Sequence, residues 1–319
     1  MSTRPLKRDL LCLADLGAEG LHATLQRAAE LERTRSTATR PLASCTLAMV
    51  FDKPSTRTRV AFEVAAVELG AHPMLLTQAS SQMGRGEPIE DTARVLGRMV
   101  DAVACRTDRH DRLVALARAC RTPVLNALTD DAHPLQVLAD LHTVRAARGR
   151  LDGAVVAWVG DASNVARSWV EAAGLLGLEL RLSCPEGFGP PAAEVDLARA
   201  RGGRVVLVDD PREAARGADV LLTDVWVSMG QEAEADRRRH ALARYRIDRE
   251  LVRIAHPRVV VLHCLPAHRG EEIEAEVIDG PHSFVWDAVD ARLHVTKAAL
   301  LWCLDWDGAR HHLFSERGH

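Results

Sequence analysis

No run of apolar residues in this chain approaches the roughly 20 that a membrane-spanning helix needs. Lysine is scarce: among 41 basic residues only Lys7, Lys53 and Lys297 are lysines, so nearly every cation is a guanidinium. With a formal net charge of -3, the chain lacks the basic excess that would point to nucleic acid or an acidic membrane as partner. The seven cysteines (Cys12, Cys45, Cys105, Cys120, Cys184, Cys264, Cys303) form no C-x-x-C pair and no metal-ligand cluster in sequence. Their scatter through apolar runs predicts mostly buried, reduced thiols. Internal repeats and low-complexity segments are also missing. After Arg4, Lys7 and Arg8, the apolar run from Leu10 to Leu13 is cut by Asp15, too early for a signal-peptide core. The expectation is a cytoplasmic protein with no membrane association.

What is present is ordinary globular composition, 47% hydrophobic and 27% charged over 319 residues, enough for a large core and two domains. Short apolar runs alternate with helical patterns: 46–51, 74–76, 102–105 and 124–127 in the first half, then 155–161, 180–182, 205–208, 220–224 and 258–263. Helical spacing is read over 8–35, 60–69, 89–99, 109–120, 164–176, 211–217 and 296–306. Such alternation predicts an α/β protein made of two doubly wound parallel-sheet domains with helices on both faces. The charge-dense stretch Arg145-Ala146-Ala147-Arg148-Gly149-Arg150 places the boundary. The expected domains are 1–145 and 146–293, with a C-terminal helix, 294–319, returning to the first.

The stretch Phe51-Asp52-Lys53-Pro54-Ser55-Thr56-Arg57-Thr58-Arg59 follows a predicted strand and opens a helix. Ser55 stands where an N-cap belongs. Unpaired N–H groups and the positive end of the helix dipole favour an anion there, and two hydroxyls and a guanidinium from Thr56, Arg57 and Thr58 sharpen that into a phosphate-like pocket. Spacing alone would equally allow an N-capped surface helix with solvated arginines. Further polar groups close or follow other predicted strands: Arg106, His133 with Gln136, Asn164, Asp224 and the turn at 263–266. In parallel sheets those strand ends form the ligand edge. Val159-Gly160-Asp161-Ala162-Ser163-Asn164 imitates a nucleotide turn but lacks the G-x-G-x-x-G spacing, which disfavours a dinucleotide-dependent oxidoreductase.

These motifs together resemble the aspartate/ornithine carbamoyltransferase family. Ser55-Thr56-Arg57-Thr58-Arg59 behind Lys53-Pro54, Arg106-Thr107 and His133-Pro134-x-Gln136 are similar to its carbamoyl-phosphate half. Asp224-Val225-Trp226-Val227-Ser228-Met229-Gly230 and His263-Cys264-Leu265-Pro266 resemble the ornithine branch; aspartate enzymes carry an arginine-bearing turn in place of Cys264-Leu265-Pro266. The resemblance runs in order from about residue 7 to residue 304. It implies that Ser55, Thr56, Arg57, Thr58, Gln82 and Arg106 hold the phosphate of carbamoyl phosphate. It further implies that Arg106, His133, Gln136 and Arg292 reach the carbamoyl end, with Arg57, Arg106, His133, Cys264 and Arg292 as the catalytic set. For L-ornithine it implies Asp224 and Ser228 at the α-ammonium, Asn164 and the Met229 backbone at the carboxylate, and Cys264 with the Leu265 carbonyl beside the δ-amine. Either Cys264 or Asp224 could take the amine proton, and a cysteine nucleophile is the less favoured role for Cys264.

The same resemblance implies no metal and no organic cofactor, a homotrimer, domain closure with a mobile lid at 225–240, and a neighbour's loop at 82–87 that brings Gln82 to the site. The sequence departs from the family at Ala291, where Asn is usual, at Thr296, where Gln is usual, and at Asp52, where glutamate is usual. The alternatives kept in view are a related amine (modified ornithine, lysine or putrescine) and a non-catalytic ligand-binding homologue. The latter should have lost Arg57, Arg106 or His133, and all three are present.

Overall fold

A computed structural model describes residues 7–35, 39–53, 55–227 and 232–304. The chain divides into two compact units, one comprising Met1–Leu138 with Asp290–His319 and the other Ala139–Val289. The division falls inside the helix Pro134–Arg148.

The first unit holds four parallel strands, β1 (Thr46–Phe51), β2 (His72–Thr77), β3 (Ala102–Arg106) and β4 (Val124–Leu128), in the order β2-β1-β3-β4. In β1, Leu47 through Phe51 are buried without interruption, because a parallel strand with both faces covered has no solvent side. Ala48, Val50, Val103 and Cys105 pack with Leu96, Leu113 and Leu116 of the helices Ile89–Met99 and His110–Ala119. The second unit holds β5 (Val155–Val159), β6 (Glu179–Ser183), β7 (Arg204–Leu207), β8 (Val220–Thr223) and β9 (Val260–His263) in the order β7-β6-β5-β8-β9, again all parallel. Val159, Leu221 and Val261 pack there with Trp226, Leu242, Ile247 and Leu251. The C-terminal helix begins at Val285 and runs to Cys303; from Asp290 it belongs to the first unit, where buried Lys297 pairs with Glu68. No helix among the described residues is long and apolar enough to cross a membrane.

Several elements differ from the sequence reading. The predicted helix at 8–35 begins as an α-helix only at Gly17. Leu10 instead lies beside β4, its N–H donating to the Val124 carbonyl at 2.9 Å and its carbonyl accepting from Asn126 N at 2.8 Å. The helices Ala192–Ala200, Ala235–Leu242 and Arg249–Ile254 carry no strong periodic signal, being short and charged, and the sequence reading passed over them. Ala235–Leu242 also overlaps the span expected to be a lid, and residues 228–231 of that span lie outside those described. The C-terminal helix starts eleven residues earlier than its predicted start at Thr296.

Two helices of the second unit, Asn164–Leu176 and Ala192–Ala200, approach at Gly174. A Cβ built there would lie 2.9 Å from Ala198 Cα and 3.1 Å from its carbonyl oxygen, both backbone atoms that cannot rotate away. Gly174→Val should therefore lower unfolding free energy by about 1–3 kcal/mol, read by urea titration. A loss under a few tenths would show that these helices separate at little cost.

Candidate active site

Ser55 caps the helix Thr56–Leu69 as its position in sequence predicts, with Oγ accepting from Thr58 N at 3.4 Å. The cap fixes the first turn, so that Thr58 turns inward while Thr56 stays exposed and Arg57 is half-buried. Thr58 Oγ1 then accepts from two guanidinium groups. Arg106, the last residue of β3, donates Nη1 at 3.3 Å, and Arg292 of the C-terminal helix donates Nη2 at 3.1 Å. All three side chains are buried.

Arg292 continues the network. Its Nη1 donates to Gln136 Oε1 at 2.6 Å and its Nη2 to His133 Nε2 at 2.9 Å. A guanidinium has no acceptor, so His133 Nε2 must be the unprotonated nitrogen and the imidazole is neutral with its proton on Nδ1. Burial, followed by the charges of Arg292, Arg106 and Arg57, holds the His133 pKa well below its usual value. The Arg292 bond likewise turns the Gln136 amide so that its NH2 points away from that arginine.

Asn126, which the sequence shows only as part of a strand, joins Thr129 in holding the turn before His133. Fully buried in β4, its Nδ2 donates to the Leu11 carbonyl at 2.8 Å and more weakly, at 3.4 Å, to the Ala132 carbonyl just before His133. Asp52 makes a partly buried ion pair with Arg112 at 3.1 Å. At the other departures from the family pattern, Thr296 Oγ1 bonds back to the Arg292 carbonyl at 2.7 Å and Ala291 is simply buried. Gln82 has no bond to this cluster among those of the described residues. It is exposed on a short turn after the edge strand β2, where its side-chain oxygen takes Arg85 Nη1 at 3.4 Å.

The second unit gathers a different set at its strand ends. Asp224, directly after β8 and buried, accepts Cys264 Sγ on Oδ1 at 2.8 Å, Val225 N on Oδ1 at 2.8 Å and Ser163 Oγ on Oδ2 at 2.8 Å. Ser163 is also the N-cap of the helix that begins at Asn164, so one hydroxyl ties the helix start to the carboxylate. The sequence reading named Asn164 but not Ser163, although a serine just before a helical pattern was a usable signal. Gly160 makes the turn after β5 with φ +121, and a Cβ there would sit 3.3 Å from Thr223 Oγ1. Buried Arg238 pairs with Asp161 in that turn, donates Nε to the Trp226 carbonyl at 2.6 Å and lies over the Phe188 ring. Burial raises the Asp161 pKa against the pull of Arg238.

Cys264 follows β9, and Leu265 takes φ +58, a left-handed conformation rare for a branched side chain. The Cys264 thiol is a hydrogen-bond donor to the Asp224 carboxylate in this arrangement. Ser228 and Met229, two of the expected ornithine contacts, lie outside the described residues.

Among the described residues, two sets of side chains have the spacing of metal ligands: Asp224, His263 and Cys264, and His268, Glu271 and Glu272, with ligand atoms within 4.8 Å of one another. Both ring nitrogens of His263 are already bonded, one to Leu265 N and one to Glu272, and Glu271 pairs with Arg239. The first set joins residues forty apart in sequence and so leaves no spacing signal in the chain.

Comparison with known proteins supplies a framework for these two clusters. Residues 8–146 match the family model for the carbamoyl-P binding domain of aspartate/ornithine carbamoyltransferase, and 152–303 match that for its Asp/Orn binding domain. An ornithine carbamoyltransferase from Acidothermus cellulolyticus is 51% identical over 308 residues, covering 95% of this chain and 98% of the relative. One from Rhizorhabdus wittichii is 49% identical over 306 residues, covering 94% and 99%. The solved ornithine carbamoyltransferase from Pyrococcus furiosus superposes with a TM-score of 0.89 at 44% identity, covering 92% of this chain and 96% of that one.

The neutral state of His133 has a measurable consequence. As pH falls through about 6.5 the unfolded chain takes up a proton at this residue while the folded chain does not. Its contribution to stability is therefore complete above that pH and is lost below it. Relative to His133→Asn, the parent should lose about 1.4 kcal/mol between pH 7.5 and 5.5 in urea unfolding. A pH-independent difference would mean that the folded protein protonates His133 normally.

Proposed function

The chain belongs to the aspartate/ornithine carbamoyltransferase family, and we propose that it transfers the carbamoyl group of carbamoyl phosphate to the δ-amine of L-ornithine, giving L-citrulline and phosphate. The observation that carries this reading is the convergence of Arg106 and Arg292 on Thr58 at the N-terminus of a capped helix, beside a neutral histidine. A dianionic phosphate is matched there by Ser55, Thr56, Arg57 and Thr58, helped by the helix dipole and its N–H groups. Arg57 and Arg106 offset the charge that builds on the departing phosphate. Arg292 and the His133–Gln136 pair face the carbamoyl oxygen, where donors fixed in advance lower the barrier as negative charge develops. The first domain, 1–145 with 294–319, is the carbamoyl-phosphate domain in this reading, and 146–293 binds ornithine.

The amine partner follows from the second cluster. Asp224 already accepts three donors, which orients its carboxylate to take the substrate's α-ammonium, with Ser228 assisting. Asn164 and the Met229 backbone take the α-carboxylate, which a diamine such as putrescine lacks. Cys264 and the Leu265 carbonyl then border the δ-amine. An alkylammonium has a pKa near 10.4, so the reacting species is the neutral minority form, and attack proceeds directly on the carbamoyl carbon. This route needs no metal or organic cofactor. Gln82, exposed within its own chain, serves the site of a neighbouring copy in a homotrimer, and the enzyme works in the cytoplasm.

Citrulline formation should be measured from carbamoyl phosphate with L-ornithine, putrescine, L-lysine, L-aspartate and N-acetylornithine. Ornithine should dominate, and Arg106→Ala should lower its kcat by about 10²–10³-fold, the usual effect of losing one preorganised donor. Dominance of another amine would overturn the assignments in the second cluster. Absence of any carbamoylation would leave a ligand-binding protein.

A further inference from the structure

Glu272 has no role in the reaction proposed above, yet it is a fully buried carboxylate next to the turn that carries Cys264. Its Oε1 accepts from His263 Nε2 at 3.2 Å and from His268 N at 2.5 Å. The His263 ring, equally buried, accepts Leu265 N–H on Nδ1 at 2.8 Å. That bond requires a bare Nδ1 and so places the ring proton on Nε2, which is the nitrogen that faces Glu272. One carboxylate thus fixes the histidine tautomer and clasps both ends of the segment 263–268. Inside the clasp lie Cys264, bonded to Asp224, and Leu265, held at φ +58.

Leu265 has no glycine's freedom at that φ, so the left-handed conformation persists only because surrounding bonds hold it. The bond from its N–H to His263 is the one that would be lost first if the ring turned or changed tautomer. We propose that Glu272 is a positioning residue: through His263 it sets the Cys264 thiol against Asp224 and aims the Leu265 carbonyl. This is the arrangement that a second-row carboxylate gives a metal-bound histidine, here applied to a backbone turn. The inference about the amine rests on the proposed function; the inference about the turn does not.

Two readouts separate these levels. Steady-state kinetics on Glu272→Ala should show ornithine KM raised at least tenfold, with inorganic phosphate binding to the first unit within twofold of the parent. Independently, native-state alkylation of Cys264 by iodoacetamide, followed on its peptide by mass spectrometry, should speed up at least tenfold as the thiol leaves Asp224. Glu272→Gln keeps an oxygen for both donors and should restore both readouts to within threefold. Glu272→Asp, which retains charge but shortens the reach, should behave like the alanine variant and serves if that variant does not fold. Ornithine KM and Cys264 alkylation both within twofold of parent in Glu272→Asp or Glu272→Ala would overturn the proposal. So would a matching loss of phosphate binding, which marks general damage. If the parent carbamoylates no amine, the proposed function fails, and the alkylation series still decides whether Glu272 positions the turn.

Discussion

Two guanidinium groups sharing one threonine hydroxyl is the constraint around which the first unit is built. Arg106 comes from a central strand and Arg292 from the final helix, and like charges repel more strongly in a buried setting than in water. Such a pair is tolerable only with well-placed acceptors, and Thr58, Gln136 and the bare nitrogen of His133 supply them. The result is a concentration of positive charge with little capacity to relax, which suits a substrate that arrives as a dianion and leaves as phosphate. Even the protonation of His133 follows from it, since an imidazolium would have to face Arg292.

The second unit uses the opposite sign. Asp224 collects donors from three elements: a helix cap, its own strand exit and the turn after β9. A carboxylate so bonded has a fixed orientation, as the α-ammonium contact proposed for it requires. The supporting layer is polar too. Arg238 with Asp161 joins the exits of β5 and β8, while Glu272 with His263 secures the turn after β9. Arg238, His263 and Glu272 are buried, Asp161 partly so, and each pair is backed by a further bond, which is what keeps a buried charge from being destabilising.

Legibility in the sequence followed the range of the interaction. The cap at Ser55, the nine strands and the helix after Ser163 were readable because their determinants lie within a turn or two of one another. The helix starts at Gly17 and Val285 were not, since the competing strand partner of Leu10 and the packing of the C-terminal helix come from distant segments. Charged short helices such as Arg249–Ile254 bury only one or two residues and leave almost no periodic trace. Glu272 was invisible for a related reason: in Arg269-Gly270-Glu271-Glu272 nothing local distinguishes a fully buried acid from its half-buried neighbour.

By itself, then, the sequence determined the alternation of strands and helices, the two-sheet α/β architecture and the residue types assembled at the strand ends. Those depend on periodicity, capping and the rule that parallel strands present their carboxyl ends on one edge. Tertiary structure decided which of those residues touch. It joined Arg292 to His133 across more than a hundred and fifty residues, bonded Cys264 to Asp224, left Gln82 exposed against Arg85, and recruited Asn126, Ser163, Arg238 and Glu272 as supports. The physical reason is that hydrogen bonds act over about 3 Å in space, whatever the separation along the chain. Side-chain chemistry can be read from residue names, but protonation state, orientation and charge balance belong to the neighbours that folding provides.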